Sequence, residues 1–439
     1  MKIRGKKFGI FSMSIVLIFS LVLAACSSKE SGSNDGGGGE TKGQTEITFW
    51  HGSTDIGLQA LKKMVAAFEE KHPEIKVKMV YTEASEGADQ KLLTAVAGGN
   101  PPDVALFDRF KIGSWAAQEA LTDITDMAEA DGISEDLYYS YAWKEANYKE
   151  KLYGLPYTTD SRLLYYNKDH FKEAGLDPEN PPKTTQELEA AAEKLTKKEG
   201  NRFKQIGFIP WYGQGWLYGW GWGFGGEFYN EETGEVTANN PKVVEALTWM
   251  ASLAQKFGVE DIAGFESSAG SGAMDPFISG QISMKVDGNW TISAIEKYKP
   301  DLNYGVTPMP TPTGTDFTTW SGGHAIVIPK GSKNVEAAWE FVKYFGTEEG
   351  QEVYFAELPG DLSVIPAVNE KLGRGDNEML KQFIDILPNS HSRPVIPEGQ
   401  LMWNELVDAR EKTVRGNGTA QENLDQATET INKALEKYK

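Results

Sequence analysis

The chain has 439 residues, 40% of them hydrophobic and 11% aromatic, enough to bury an extensive core divided between two lobes. Its formal net charge is −19, which excludes nucleic-acid or anionic-lipid binding through general electrostatics and reads as a soluble, self-repelling surface. Cys26 is the single cysteine, so an intrachain disulfide is excluded.

The N-terminus sets the compartment. Lys2, Arg4, Lys6 and Lys7 form a basic region ahead of an apolar stretch from Phe8 to Leu23, too short for a comfortable bilayer span. It ends in Leu23-Ala24-Ala25-Cys26, which resembles a bacterial lipobox: small residues fit the peptidase and the thiol can accept a diacylglycerol. A lipoprotein signal peptide is therefore expected over residues 1–25, with lipidation at Cys26. Residues 26–45, including Ser27, Ser28, Ser31 and Gly36 to Gly39, have little to bury and read as a flexible tether.

The body opens with Glu46-Ile47-Thr48-Phe49-Trp50-His51-Gly52, a β-type run that ends at a glycine turn. Leu58, Leu61, Met64, Val65 and Phe68 share one face of a helix that stops near His72-Pro73. Ile75 to Tyr81 alternates like a strand, a helix follows over Gln90 to Ala97, and Gly98 to Pro102 turns into a strand at Asp103 to Phe107. This alternation predicts an α/β lobe, whose ligands gather beyond the carboxyl ends of its strands. That rule places His51, Gly52, Ser53, Asp108 and Arg109 at a candidate cleft edge, and Trp50 joins the candidate ligand-binding residues. Further on, Ser161 to Asn167 reads as a strand. Thr184-Thr185-Gln186-Glu187 is a capping box, and Asn240-Pro241 supplies an N-cap with a first-turn proline. A helix beginning near Lys333 carries Val335, Ala338, Trp339, Val342 and Phe345, and Leu401 to Thr413 and Asn423 to Tyr438 are helical in pattern.

The most unusual composition is the run from Trp211 to Phe224, which holds four of the twelve tryptophans. Its glycines leave room for a flat ligand, and its indole and phenol groups supply hydrogen bonds, a combination suited to sugars. Trp211, Tyr212, Trp216, Trp220 and Trp222 are thus platform candidates, although about half of the rings in this run are expected in the core. Trp290, Trp320 and Trp403 are further candidates. The GxGxxG spacing at Gly221 to Gly226 lacks the strand–helix context of a dinucleotide fingerprint. The five histidines are scattered, no HExxH, CxxC, GxxxxGK[ST] or GxSxG occurs, and no metal or other cofactor is expected. Asp108 and Asp160 are the carboxylates placed in the cleft, where an ionised acceptor suits sugar hydroxyls. A glycosidase needs only two such groups, so an anchored glycoside hydrolase stays open as an alternative.

Several motifs in order resemble the bacterial extracellular solute-binding proteins of the maltose-binding-protein type. They are Ile47 to Gly52, Asn100-Pro101-Pro102-Asp103-Val104 with Asp108-Arg109-Phe110, and Leu152 to Pro156 continuing through Leu164 to Lys168. Gly288-Asn289-Trp290, Asn303 to Val306, and Gly322-Gly323 before Ala325-Ile326-Val327 complete the set. The resemblance implies an α/β, two-lobe, periplasmic-binding-protein-like (type II) fold with a ligand cleft between the lobes. Lobe 1 would take residues 46–160 and 306–356, and lobe 2 residues 161–305 and 357–439. Crossings are implied near 160–165, 304–308 and 357–362.

By the same resemblance, Asp108, Arg109, Asp160, Trp290 and Trp403 match sugar contacts, and Gly322, His324 and Arg393 join the candidate set. Ser53 stands where maltose-binding protein has an aspartate, and the loop before Asp108 lacks its tryptophan, so maltose as the ligand does not transfer. The implied function is non-enzymatic: a carbohydrate is captured at the outer face of the bacterial membrane and delivered to the membrane permease subunits of an ABC importer. The chain is expected to be a monomer held to the membrane through Cys26, with no nucleic-acid partner. Another solute on the same scaffold, such as a glycerophosphodiester, a glycosylated amine or a peptide, is the alternative ligand; Arg109, Arg162 and Arg393 would hold an anionic group if they converge, which would also admit uronic-acid sugars. A structural or adhesive lipoprotein would show neither closure nor a small ligand.

Overall fold

The computed structural model describes residues 43–83, 86–200 and 202–439. The expected signal peptide, Cys26 and the tether as far as residue 42 lie outside the described residues. The two main sheets are built, in chain order, from β1 (Thr45–His51), β2 (Ile75–Tyr81), β3 (Val104–Asp108), β4 (Leu155–Pro156), β5 (Arg162–Asn167), β6 (Met284–Gly288), β7 (Tyr304–Thr307) and β8 (His324–Val327). The first sheet has the order β2-β1-β3-β8-β4 and the second β6-β5-β7. β1 runs parallel to β2 and β3, so all three end on one edge, whereas β8 is antiparallel to β3 and β4. β5 is flanked by two antiparallel neighbours.

Period-2 patterning decides which β1 side chains go inward: Ile47, Phe49 and His51 are buried, while Trp50 turns to the other face. Helix α1 (Asp55–Lys71) buries Ala60, Leu61, Met64, Val65 and Phe68. Phe68 packs edge-on to Phe341, 5.0 Å between centroids, on a helix that spans Val335–Gly346. Burying a phenylalanine fully stabilises by roughly 1.5–3 kcal/mol. In the second lobe, α2 (Thr185–Leu195) starts at the capping box: Thr184 Oγ accepts from Glu187 N–H at 3.1 Å, and Glu187 accepts from Thr184 N–H at 3.0 Å. α3 (Leu217–Gly223) occupies the aromatic run. α4 (Pro241–Phe257) begins at Asn240, whose side chain accepts from Lys242 N–H. Two C-terminal helices, α5 (Gly399–Val414) and α6 (Ala420–Leu435), pack on α4. Among the described residues no helix is long and apolar enough to cross a membrane.

Short ribbons join the lobes. Thr158–Thr159 pairs antiparallel with Leu362–Ser363, next to the expected first and third crossings, and Thr319–Trp320 pairs in parallel with Ser390–His391. The second crossing lies later than the expected 304–308. Tyr304–Thr307 is the third strand of the second sheet, still paired with β5 at Thr307↔Leu164, and the chain re-enters the first sheet only at His324.

Candidate functional site

The carboxyl ends of β1, β2 and β3 open into a cleft of about 720 Å³. The first lobe contributes Ser53 after β1, Glu83 after β2 and Asp108 at the end of β3. The ribbon adds Thr158, Thr159 and Asp160, and the second lobe adds Gln214, Asn289 and Trp290. His324, Tyr354 and Asp361 complete the wall. Trp290 is 36% exposed, an unusual state for an indole, and opens the helix Trp290–Tyr298.

Charged groups are matched along one side. Asp108 caps the turn that follows β3, accepting from Phe110 N–H at 3.1 Å, and it accepts from Arg393 at 3.2 Å. Burial pushes its carboxyl up, but Arg393, His324 and Lys111 together outweigh that and hold it below the usual range. Asp160 pairs with Arg162 and also accepts from Gly322 N–H at 2.7 Å. His324 stands at the cleft wall, where the surrounding protein lowers its imidazole against the pull of Asp108 and Asp160. Asp361 has no side-chain hydrogen bond or ion pair among the described residues. Burial, opposed by Arg374 and reinforced by Asp160, raises it to about 6.

The sequence profile of the bacterial extracellular solute-binding proteins matches residues 51–352, well over half of the chain. The chain belongs to the bacterial extracellular solute-binding proteins. Over 437 residues it is 27% identical to the maltooligosaccharide ABC transporter solute-binding lipoprotein of Streptococcus pneumoniae (strain ATCC BAA-255 / R6), with 96% of each chain covered. It is 26% identical over 441 residues to the galactooligosaccharide-binding protein of Bacillus subtilis (strain 168), covering 97% of this chain and 96% of that one. The structure of CpMnBP1 with mannotriose bound matches with a TM-score of 0.79 at 28% identity, over 88% of this chain and 100% of that one. The two-lobe type II fold expected from the sequence is therefore the fold of this extracellular solute-binding protein.

Of the residues singled out in the sequence, Ser53, Asp108, Asp160, Trp290 and His324 line this solute-binding protein's cleft together. Gly322 stands behind Asp160 and contributes its backbone N–H. Arg109 does not reach the cleft: it is 0% exposed, with Nε on Glu145 at 3.1 Å and its terminal nitrogens on the carbonyls of Gly322 and Thr158. Asp108 ends β3 and Arg109 opens the helical turn that follows, which carries its guanidinium to Glu145 and not into the cleft. Arg393 is buried behind Asp108 and within 3.8 Å of Glu145. His51 is buried beside Phe49 and Tyr81, and burial lowers its imidazole in spite of a backbone bond with Ser53. Trp50 carries the Lys91 ammonium 4.9 Å above its ring, outside the cleft lining.

The aromatic run is not a platform in this cleft. Trp220 is 0% exposed and donates to Pro210 O at 2.8 Å, and Trp222 stacks flat on His391 at 4.9 Å. Trp211 donates to Glu266 at 2.8 Å, and Tyr212 packs edge-on to Phe265. Trp216 and Trp403 meet at 4.7 Å over a small recess beside Arg410. The glycines serve close packing: a Cβ on Gly221 would lie 2.5 Å from the Phe228 ring. Trp320 is buried under the Arg162 guanidinium at 3.7 Å. Only Gln214 of this run reaches the cleft, together with Asn289 and Asp361, none of which the sequence reading selected. Signals for two of them were present, since Asn289 lies inside the quoted Gly-Asn-Trp motif and Asp361 inside the third crossing.

A second groove of about 800 Å³ is lined by Trp143, Trp222, Tyr229, His391 and Arg393. A shared wall separates it from the cleft, built by the Arg393–Asp108 pair and by Tyr141, whose hydroxyl meets Thr159 at 2.8 Å. Because the strand ends open into the first cleft and not the second, the first is the candidate ligand site.

Proposed function

We propose that this extracellular protein captures a saccharide in the cleft and delivers it to the membrane permease subunits of an ABC importer, without chemical turnover. The observation that carries the reading is Trp290, an open indole sharing one cleft with hydroxyls and carboxylates from both lobes. Sugars present apolar C–H faces to such a ring and hydroxyls to such acceptors. Relatives named for maltooligosaccharide and galactooligosaccharide, and a structure holding mannotriose, support the class while differing in the sugar. A lipid on Cys26 would keep the loaded protein beside the permease, consistent with the lipobox-like sequence and with a relative named as a lipoprotein. Closure follows if ligand contacts from the two lobes are better satisfied together, since binding shifts such an equilibrium only through differential contacts.

Residues 43–439 form one compact unit, so the soluble body can be titrated directly. Tryptophan fluorescence against malto-, galacto- and manno-oligosaccharides should show saturable binding. A Kd near 1 μM corresponds to about −8 kcal/mol and should raise the melting temperature at excess ligand. Incubation should release no shorter saccharide. Release of product, abolished by Asp108→Asn or Asp160→Asn, would instead favour a hydrolase.

A further inference from the structure

We propose that the cleft selects its solute by charge: it takes an uncharged or amine-bearing saccharide and rejects an anionic one, with Asp361 as the specificity-determining residue. This rests on the saccharide reading above and narrows it.

The arginines that could have held an acid are already committed. Arg162 pairs with Asp160, Arg109 with Glu145, and Arg393 with Asp108 and Glu145. Lys111, the remaining lysine of the cleft wall, pairs with Asp89. What faces the solute is therefore an excess of acceptors. Glu83, Asp89, Asp108, Asp160 and Asp361 line the cleft against Lys111, Arg162 and His324.

Two of these carboxylates have no ion pair among the described residues, the exposed Glu83 at the rim and Asp361 deeper in the wall, and Asp361 is the one the wall encloses. Its backbone N–H is used by Leu358 O at 3.1 Å, and its side chain has no partner among the described residues. Arg374, the opposite charge it senses, spends one terminal nitrogen on the carbonyls of Phe355 and Leu358. Beside it, Asn289 is 1% exposed and donates Nδ2 to Gly360 O at 2.9 Å, which leaves Asn289 Oδ1 as a buried acceptor without a donor. Asn289 Oδ1 is sealed from the cleft, so the half-buried Asp361 carboxylate is the acceptor that calls for donors from the solute. Hydroxyls and ammonium groups supply them, and a hydrogen bond to an ionised acceptor is roughly twice as strong as a neutral one. A carboxylate or phosphate there would meet like charge, a juxtaposition that selects against it.

The test is calorimetric titration of the full chain with matched trisaccharides: maltotriose, mannotriose and galactotriose, then trigalacturonic acid, then the trimer of glucosamine. A neutral or aminated probe is expected to saturate, with the uronic acid at least about a hundredfold weaker than the best of them. Asp361→Asn, with its melting curve checked, should shrink that ratio by about tenfold. If the variant fails to fold, the wild-type ratio at about pH 5, where Asp361 is mostly protonated, should shrink in the same direction. Uronic-acid binding as tight as neutral binding overturns the charge rule and leaves saccharide capture standing. A ratio unchanged by both Asp361→Asn and acid removes Asp361 from the role. If no trisaccharide of any charge binds, saccharide capture itself fails and takes this inference with it.

Discussion

The Arg393 guanidinium donates to Asp108 Oδ1 at 3.2 Å, tying the end of β3 to a segment 285 residues further along the chain. Arg393 also lies 3.8 Å from the fully buried Glu145, so one cation serves two acids in the wall between the cleft and the second groove. Burial raises Glu145, and Arg109 and Arg393 oppose that rise. Arg393→Ala removes one of those two cations and is expected to destabilise the protein by about 3 kcal/mol, the range for stranding a buried charge. The Asp108 carboxyl should then titrate higher, because Arg393 is the largest influence lowering it. Urea melts and carboxyl NMR titration of the variant check both, and an unchanged midpoint would remove the pair from the account of the wall.

Two tryptophans should respond in opposite ways to truncation. Trp290 is 36% exposed in the cleft, so Trp290→Ala should leave the melting temperature nearly unchanged and weaken saccharide binding by about 2 kcal/mol, roughly thirtyfold. Trp220 is sealed and hydrogen-bonded to Pro210 O, so Trp220→Ala should cost about 3–5 kcal/mol of stability. Among correctly folded Trp220→Ala molecules the affinity should be close to wild type. Thermal melts and titrations on the same two preparations separate the outcomes.

This contrast marks where the sequence was readable. Strand and helix patterning fixed the α/β alternation, both cap sites at Thr184 and Asn240 appeared as expected, and the rule of strand carboxyl ends placed Ser53 and Asp108 in the cleft. The orientation of Arg109, the burial of His51 and the inward turn of Trp220 depend on which side of an element each residue occupies, and on what packs there. Composition does not carry that information. A glycine between two rings reads equally as space for a ligand or space for Phe228, and at Gly221 packing wins. Asp361 and Asn289 acquire their roles only where the third crossing meets the second lobe, a contact between segments 71 residues apart.

The pH response should carry the signature of Asp361. Burial lifts its folded pKa to about 6 from the ordinary 3.8, with Arg374 pulling it down and Asp160 adding to the rise. The folded protein holds this proton more tightly than the unfolded chain. The stability from this group is therefore full below about pH 4 and is lost as pH rises through about 6, by about 2–3 kcal/mol at most. Asp361→Asn should flatten the fall in melting temperature of the empty protein between about pH 4 and pH 7. Saccharide affinity should move the other way in the wild type, rising through about pH 6 as the carboxylate becomes a stronger acceptor. Melting curves across this range, with and without ligand, read both signs.

Gln214 enters the cleft because Gly213 lets the chain press against β6. Gly213 has φ of 71°, and a Cβ there would lie 2.5 Å from Val286 O, while Gln214 N–H donates to that same carbonyl at 2.8 Å. Trp216 then holds the Gln214 side chain through its indole N–H at 3.3 Å. Gly213→Ala adds left-handed strain of about 1–3 kcal/mol to a contact with backbone that cannot yield cheaply. It should lower the melting temperature and the saccharide affinity together. Gln214→Ala removes only the polar tip and should reduce affinity by about tenfold with the melting temperature held, since it leaves the backbone bond to Val286 in place. If Gly213→Ala lowers stability but Gln214→Ala leaves affinity at the wild-type value, the close approach is structural and Gln214 makes no contact with the solute.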